Sequence, residues 1–161
     1  MNFKDKSVCD TIDKLKHQYQ IFTNNQFIIY YLNEAGIPKN DWIDIEDLID
    51  SNKYYEGEGY DLERMYEQIL TFSRFVVKLK NEILPKINSD AQKRIARLSA
   101  DNKVLYKMTV DNAPGNVKVF YDIISDLFIK IKKIDEKRSG EGKMLYDKRS
   151  YLKEIEKNLN A

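Results

Sequence analysis

The single histidine of this chain, His17, follows Asp10 and Asp13. On a helix advancing 100° per residue the three fall within about 60° of one another, the convergence a carboxylate–imidazole metal or acid–base site needs. The same helix carries Val8, Ile12, Leu15, Tyr19 and Phe22 at spacings of 4-3-4-3 on the opposite side. The trio therefore reads as a solvated face, with no pocket to exclude water or shift a pKa. Cys9 is the only cysteine. It excludes an intramolecular disulfide framework and a multi-cysteine metal site, and no general base is spaced to activate it. A di-metal carboxylate bundle needs two Glu-x-x-His motifs, which one histidine cannot supply.

Phosphate loops fare no better. Gly57-Glu58-Gly59 and Gly140-Glu141-Gly142 continue neither to a third glycine nor to Gly-Lys-Ser/Thr, so they read as flexible glycines between helices. A duplicated helix–loop–helix behind the two segments is a weaker alternative to chance similarity of amphipathic helices. The acidic stretch 41–58 does not fit a calcium loop. No catalytic, cofactor-binding or metal residue is assigned, no cofactor is expected, and the chain reads as a non-enzyme.

The 161 residues hold 27 Lys+Arg and 26 Asp+Glu, a net charge of +1. That total hides a segregation. Residues 1–60 carry 6 basic and 11 acidic side chains, residues 61–85 carry 4 and 4, and residues 86–161 carry 17 and 11. The acidic excess centres on Asp41, Asp44, Glu46, Asp47, Asp50, Glu56 and Glu58, and the basic excess on Lys130, Lys133, Lys137, Arg138, Lys143, Lys148 and Arg149. Three uses compete: mutual satisfaction inside the fold and at helix ends, docking of a protein partner, or nucleic-acid binding by the basic hairpin. Asp126 and Asp147 interrupt the basic run, and no helix-turn-helix, zinc-finger or RNA-binding aromatic motif overlies it.

Lys, Ile, Asn, Tyr and Phe supply 70 residues, a bias toward AT-rich codons that points to an AT-rich genome and weakens arguments from abundant lysine or tyrosine. The N-terminus lacks the apolar core of a signal peptide. The longest apolar run, 27–32, is six residues, against about 20 for a membrane span. A cytoplasmic protein with no membrane partner is the expectation.

Periodicity supplies the elements that must position any site. Leu62, Met65, Ile69, Phe72, Val76, Leu79 and Ile83 form a heptad seam, flanked by Tyr66 and Phe75. Val117, Phe120, Ile124, Leu127, Ile131 and Ile134 form another. The reading places N-terminal helices in 3–35, broken near Thr23-Asn24-Asn25 and ended at Ala35-Gly36-Ile37-Pro38. A short acidic helix follows at 41–50 with Trp42, Ile45 and Ile49 inward. Long helices are expected at 60–84, 89–109, 113–138 and 143–159. Pro85 marks a stop or kink, Ser89 to Gln92 a capping box, and Pro114 a first turn. Ile95, Leu98 and Leu105 are expected inward, with Asn102 in their seam, while Leu145, Leu152, Ile155 and Leu159 line the last helix. A rival reading pairs 104–110 with 117–121 as a hairpin around Asp111–Asn116.

The sum is an all-α chain forming one domain, 1–161: an antiparallel bundle of five or six helices, four of them long with heptad-like seams. The function expected of it is that of a non-enzymatic intracellular binding module, an adaptor, chaperone-like or regulatory factor that binds a protein partner or itself. A nucleic-acid-associated protein using the basic hairpin is the alternative.

Overall fold

In a computed structural model of the chain, residues 2–37, 59–139 and 149–160 are described. They form an all-α bundle. Helix α1 spans Lys6–Thr23 and α2 Gln26–Glu34. Helix α3 spans Leu62–Lys78, passes through a π-helical turn at Leu79–Ile83 and continues as α4, Leu84–Ile95. Helix α5, Ala100–Ser139, is 40 residues long, about 60 Å at 1.5 Å per residue. Helix α6, Arg149–Asn160, completes the described bundle. Strand β1 (Asn2–Phe3) pairs antiparallel with β2 (Tyr60–Asp61), Phe3 opposite Tyr60.

Local chemistry sets the helix ends. Asp5 caps α1, its carboxylate accepting from Val8 N at 3.0 Å. Asp61 caps α3 and accepts from Glu63 N at 3.1 Å. Each cap satisfies an amide that helix geometry leaves without a partner. Beyond Ala35, Gly36 takes φ +76°, the left-handed conformation that ends a helix, and the Ile37 amide donates back to the Leu32 carbonyl at 2.8 Å.

The seam from Leu62 to Ile83 is buried in full, as are the five apolar residues of α1. Phe22, Phe72, Phe75 and Phe120 meet at the centre. Contacts between successive turns fix direction. Thr11 meets Lys130, Gln18 meets Asn116 and Asn25 meets Thr109, so α1 and α5 run antiparallel. Tyr66 meets Asp135 and Phe75 meets Phe120, which makes α3 antiparallel to α5 as well. The Tyr66 hydroxyl donates to buried Asp135 at 2.9 Å. Burial foremost, then that hydrogen bond, holds Tyr66 above the ordinary phenol range.

Several expected boundaries differ. The two prolines do not end helices. Pro85 sits in the first turn of α4, directly after a π-helical turn that widens the spiral by one residue. Pro114 lies inside α5 with its ring exposed. An interior proline costs about 3 kcal/mol, and Thr109, Ala113, Val117 and Phe120 on either side bury a continuous stripe that offsets it. Residues 104–110 and 117–121 are therefore helical, and the hairpin is excluded.

Ser89 lies within α4, its hydroxyl donating to the Lys86 carbonyl at 3.1 Å, so it caps nothing. The break falls instead at 96–99. With α5 continuous, the inward stripe runs back from Val117 through Ala113 and Thr109 to Tyr106, and Leu105 faces solvent. Tyr106 shares a 2.7 Å hydrogen bond with Tyr31, whose hydroxyl also reaches Asp90 at 3.3 Å. Burial foremost, then the Tyr106 contact, raises the Tyr31 pKa. The expected helix at 41–50 and Leu145 lie outside the described residues.

Helix α6 packs Leu152, Ile155 and Leu159 against the bundle. Arg74 holds Glu154 with two hydrogen bonds of 2.8 and 3.0 Å, Lys132 pairs with Glu156 at 3.1 Å, and Asn158 donates to Ser73 Oγ at 2.9 Å. The Arg74 hydrogen bond lowers the Glu154 pKa. A depressed carboxylate stabilises the fold fully above its unfolded value, about 4.3, and ceases to do so as pH falls through the folded value. The protection of α6 amides, exchange measured relative to the unfolded chain at the same pH, should therefore fall on acidification below about pH 4.3. In Glu154→Gln, exchange should already be faster at neutral pH, with a flatter acid limb.

Candidate binding surface

The turn between α1 and α2 lies against the middle of α5, and a groove of about 530 Å³ opens there. Asn25 builds one wall. Its Oδ1 accepts from Phe27 N at 2.9 Å and Ile28 N at 3.2 Å, capping α2, while its Nδ2 donates to Thr109 Oγ1 at 3.0 Å. Thr109 in turn donates to the Leu105 carbonyl at 2.9 Å. One turn before the corner, buried Gln18 donates to the Asn116 carbonyl at 2.9 Å. One asparagine thus starts a helix and fastens it to α5.

Phe22, Phe27 and Ala113 form a buried apolar floor, and Ile21, Leu105 and Met108 stand exposed at the rim. Asn24, Gln26, Asn112 and Asn116 add amide groups to the walls. None of the thirteen lining residues carries a charge or a titratable group. The groove offers apolar contact with neutral donors and acceptors, and its one hydroxyl, on Thr109, is engaged with the α5 backbone. This lining suits recognition of a peptide-like surface and lacks a group for proton transfer.

No family model, curated protein or solved structure matches the chain. Its surfaces must be read from their own chemistry.

The candidate residues read from sequence divide. Asp41, Asp44, Glu46, Asp47, Asp50, Glu56 and Glu58 lie outside the described residues, as do Lys143 and Lys148. Arg149 opens α6. Lys130 points back into the fold, pairing with Asp126 at 3.0 Å and donating to Thr11 Oγ1 at 2.7 Å. Arg138 sits 5.3 Å over the Phe3 ring. Lys133 and Lys137 remain exposed on α5. Two of the four basic candidates on α5, Lys130 and Arg138, therefore serve the fold. Asp10, Asp13 and His17 are exposed on α1, and Cys9 is buried.

No local pattern announces the groove, because its walls come from segments some 80 residues apart. Its one sequence signal, Asn24-Asn25, reads only as a helix break. Asn25→Ala should lower stability by about 1–2 kcal/mol, the loss of a cap whose amide also tethers a second helix. Denaturant unfolding measures the loss, and faster amide exchange at Phe27 and Ile28 locates it.

Proposed function

We propose that this protein is a non-enzymatic, cytoplasmic binding module that needs no cofactor and docks an apolar segment of a partner protein in the groove between the α1–α2 corner and α5. The observation that carries the reading is the combination of an uncharged amide wall, a buried aromatic floor and a rim of exposed Ile21, Leu105 and Met108. Exposed large apolar side chains grouped around a concavity favour interaction over plain solvation. The internal use of Lys130 and Arg138 weighs against the basic helix end as the main contact surface.

A photo-crosslinking residue placed at Gln26, on the groove wall, tests it in the native cell. A discrete protein adduct is expected there, absent when the same residue replaces Asp10 on the far side of α1, and lost when Ile21→Glu is added. Equal labelling from both positions, or none from Gln26, overturns the reading.

A further inference from the structure

Helix α5 carries an apolar stripe that no described part of the chain covers. Val104, Leu105 and Met108 are 60%, 51% and 54% exposed, and Val119 is 46% exposed. Val104, Met108, Asp111 and Gly115 follow one another at spacings of 4-3-4, so they share the outward face of the helix. Such spacing is that of a helix–helix seam, here on the side turned away from the core.

Two features say what the seam fits. First, a Cβ added at Gly115 would meet nothing within 4 Å. A glycine in the interior of a 40-residue helix weakens that helix, and no packing among the described residues requires it. On an outward seam it leaves a hollow for a side chain from another helix. Second, Lys107 and Asp111 lie one turn apart along one edge of the stripe. Both are exposed, and neither forms an ion pair among the described residues.

We propose that a second copy of this chain docks on this face, its α5 antiparallel to the first about a two-fold axis near Thr109. In an antiparallel pair, like edges meet, and residues whose numbers sum to a constant stand opposite each other. With the axis near Thr109, Lys107 of each copy faces Asp111 of the other, so both charges find partners twice over. One residue off that register, Val104 falls beside Gly115 of the second copy, and the two Met108 side chains lie within a turn of each other across the axis. Leu105 then stands near Asn112 of the other copy, at the edge of its groove. A two-fold interface must be complementary to itself, and the Lys107–Asp111 edge meets that condition in charge. The inference deepens the binding-module reading by naming a partner for the α5 side of the groove.

Sedimentation velocity of the full chain, from micromolar to millimolar concentration, tests it. A reversible monomer–dimer equilibrium is expected, and Met108→Glu should abolish it. Lys107→Asp and Asp111→Lys should each weaken dimerisation by about tenfold, since each replaces two attractions by two repulsions. The double variant should restore it, as should an equimolar mixture of the two single variants, which pairs an acidic edge with a basic one. Gly115→Ala should raise the melting temperature of the monomer while weakening the dimer. A monomer at every concentration overturns the inference, as does a dimer indifferent to the charge reversals. If the Gln26 adduct then persists with a different protein, the groove reading stands alone. If the dimer forms and Gln26 labels nothing, the groove reading falls alone.

Discussion

Phe120→Ala is expected to cost about 3–5 kcal/mol, the range for deleting a fully buried aromatic ring. Phe120 has no exposed surface and lies 5.6 Å from Phe22, 5.5 Å from Phe72 and 5.6 Å from Phe75, centroid to centroid. Those three rings come from α1 and α3, so one side chain of α5 joins three helices at the middle of the bundle. The contacts to Phe22 and Phe75 are edge-on, at 86° and 77°, the geometry in which aromatic pairs add about 0.5–1.5 kcal/mol beyond burial. Truncation loses transfer energy and ring contacts together, and rings held from two separate helices cannot all move in to close the hole. Against a typical stability of about 5–15 kcal/mol, the variant should be marginal at best. Urea unfolding monitored by far-UV circular dichroism reads the loss. Phe120→Leu should cost under about 1.5 kcal/mol, and exposed Val119→Ala less than about 0.5. Equal midpoints for Phe120→Ala and Val119→Ala would mean that the four rings do not pack as described.

The residues of that centre were legible in the sequence because burial on one helix face leaves a repeating trace. Every member of the seam from Leu62 to Ile83 is inside. So are Val8, Ile12, Leu15, Tyr19 and Phe22, and the break at Thr23–Asn25 falls where the polar residues cluster. Punctuation was less legible. A proline shows its local cost in the sequence, but the burial gained on either side of it depends on a partner surface that appears only in the fold. Pro114 is tolerated for that reason, and continuing the helix through it changes which side of the chain faces in. Tyr106 thereby becomes core and Leu105 becomes surface, which creates both the groove rim and the outward stripe. Neither feature could be read while 89–109 and 113–138 stood as separate helices. The charge segregation proved ambiguous from sequence for a related reason. Lys130 finds Thr11 across 119 residues, a pairing that no local pattern announces.

Gly59→Ala is expected to be the most damaging single-methyl change in the described part of the chain. The glycines of Gly57-Glu58-Gly59 read in sequence as spacers, yet Gly59 holds φ +92°, a conformation costing about 1–3 kcal/mol for any other residue. Space is also denied. A Cβ there would overlap the Phe3 carbonyl oxygen and lie 2.8 Å from its carbon. Because the obstacle is backbone, no rotamer change relieves it, and the strand pairing of Phe3 with Tyr60 must shift. That pairing seats Phe3 and Tyr60, both buried, at the start of α1 and α3. Displacing it also disturbs the Arg138 guanidinium stacked over Phe3. The penalty should exceed about 2 kcal/mol, conformational strain with lost burial added. It should also be local. Amide exchange should accelerate in Asn2–Phe3 and Tyr60–Asp61 and in the first turns of α1 and α3, while the centre around Phe120 keeps its protection. Gly36→Ala supplies the comparison. Gly36 has a similar φ of +76° but nothing within 4 Å of an added Cβ, so it carries the conformational cost alone. A larger loss at Gly59 than at Gly36 isolates the backbone contact with Phe3. Equal losses would show that contact to be absent, and with it the pairing that joins the two ends of the N-terminal half.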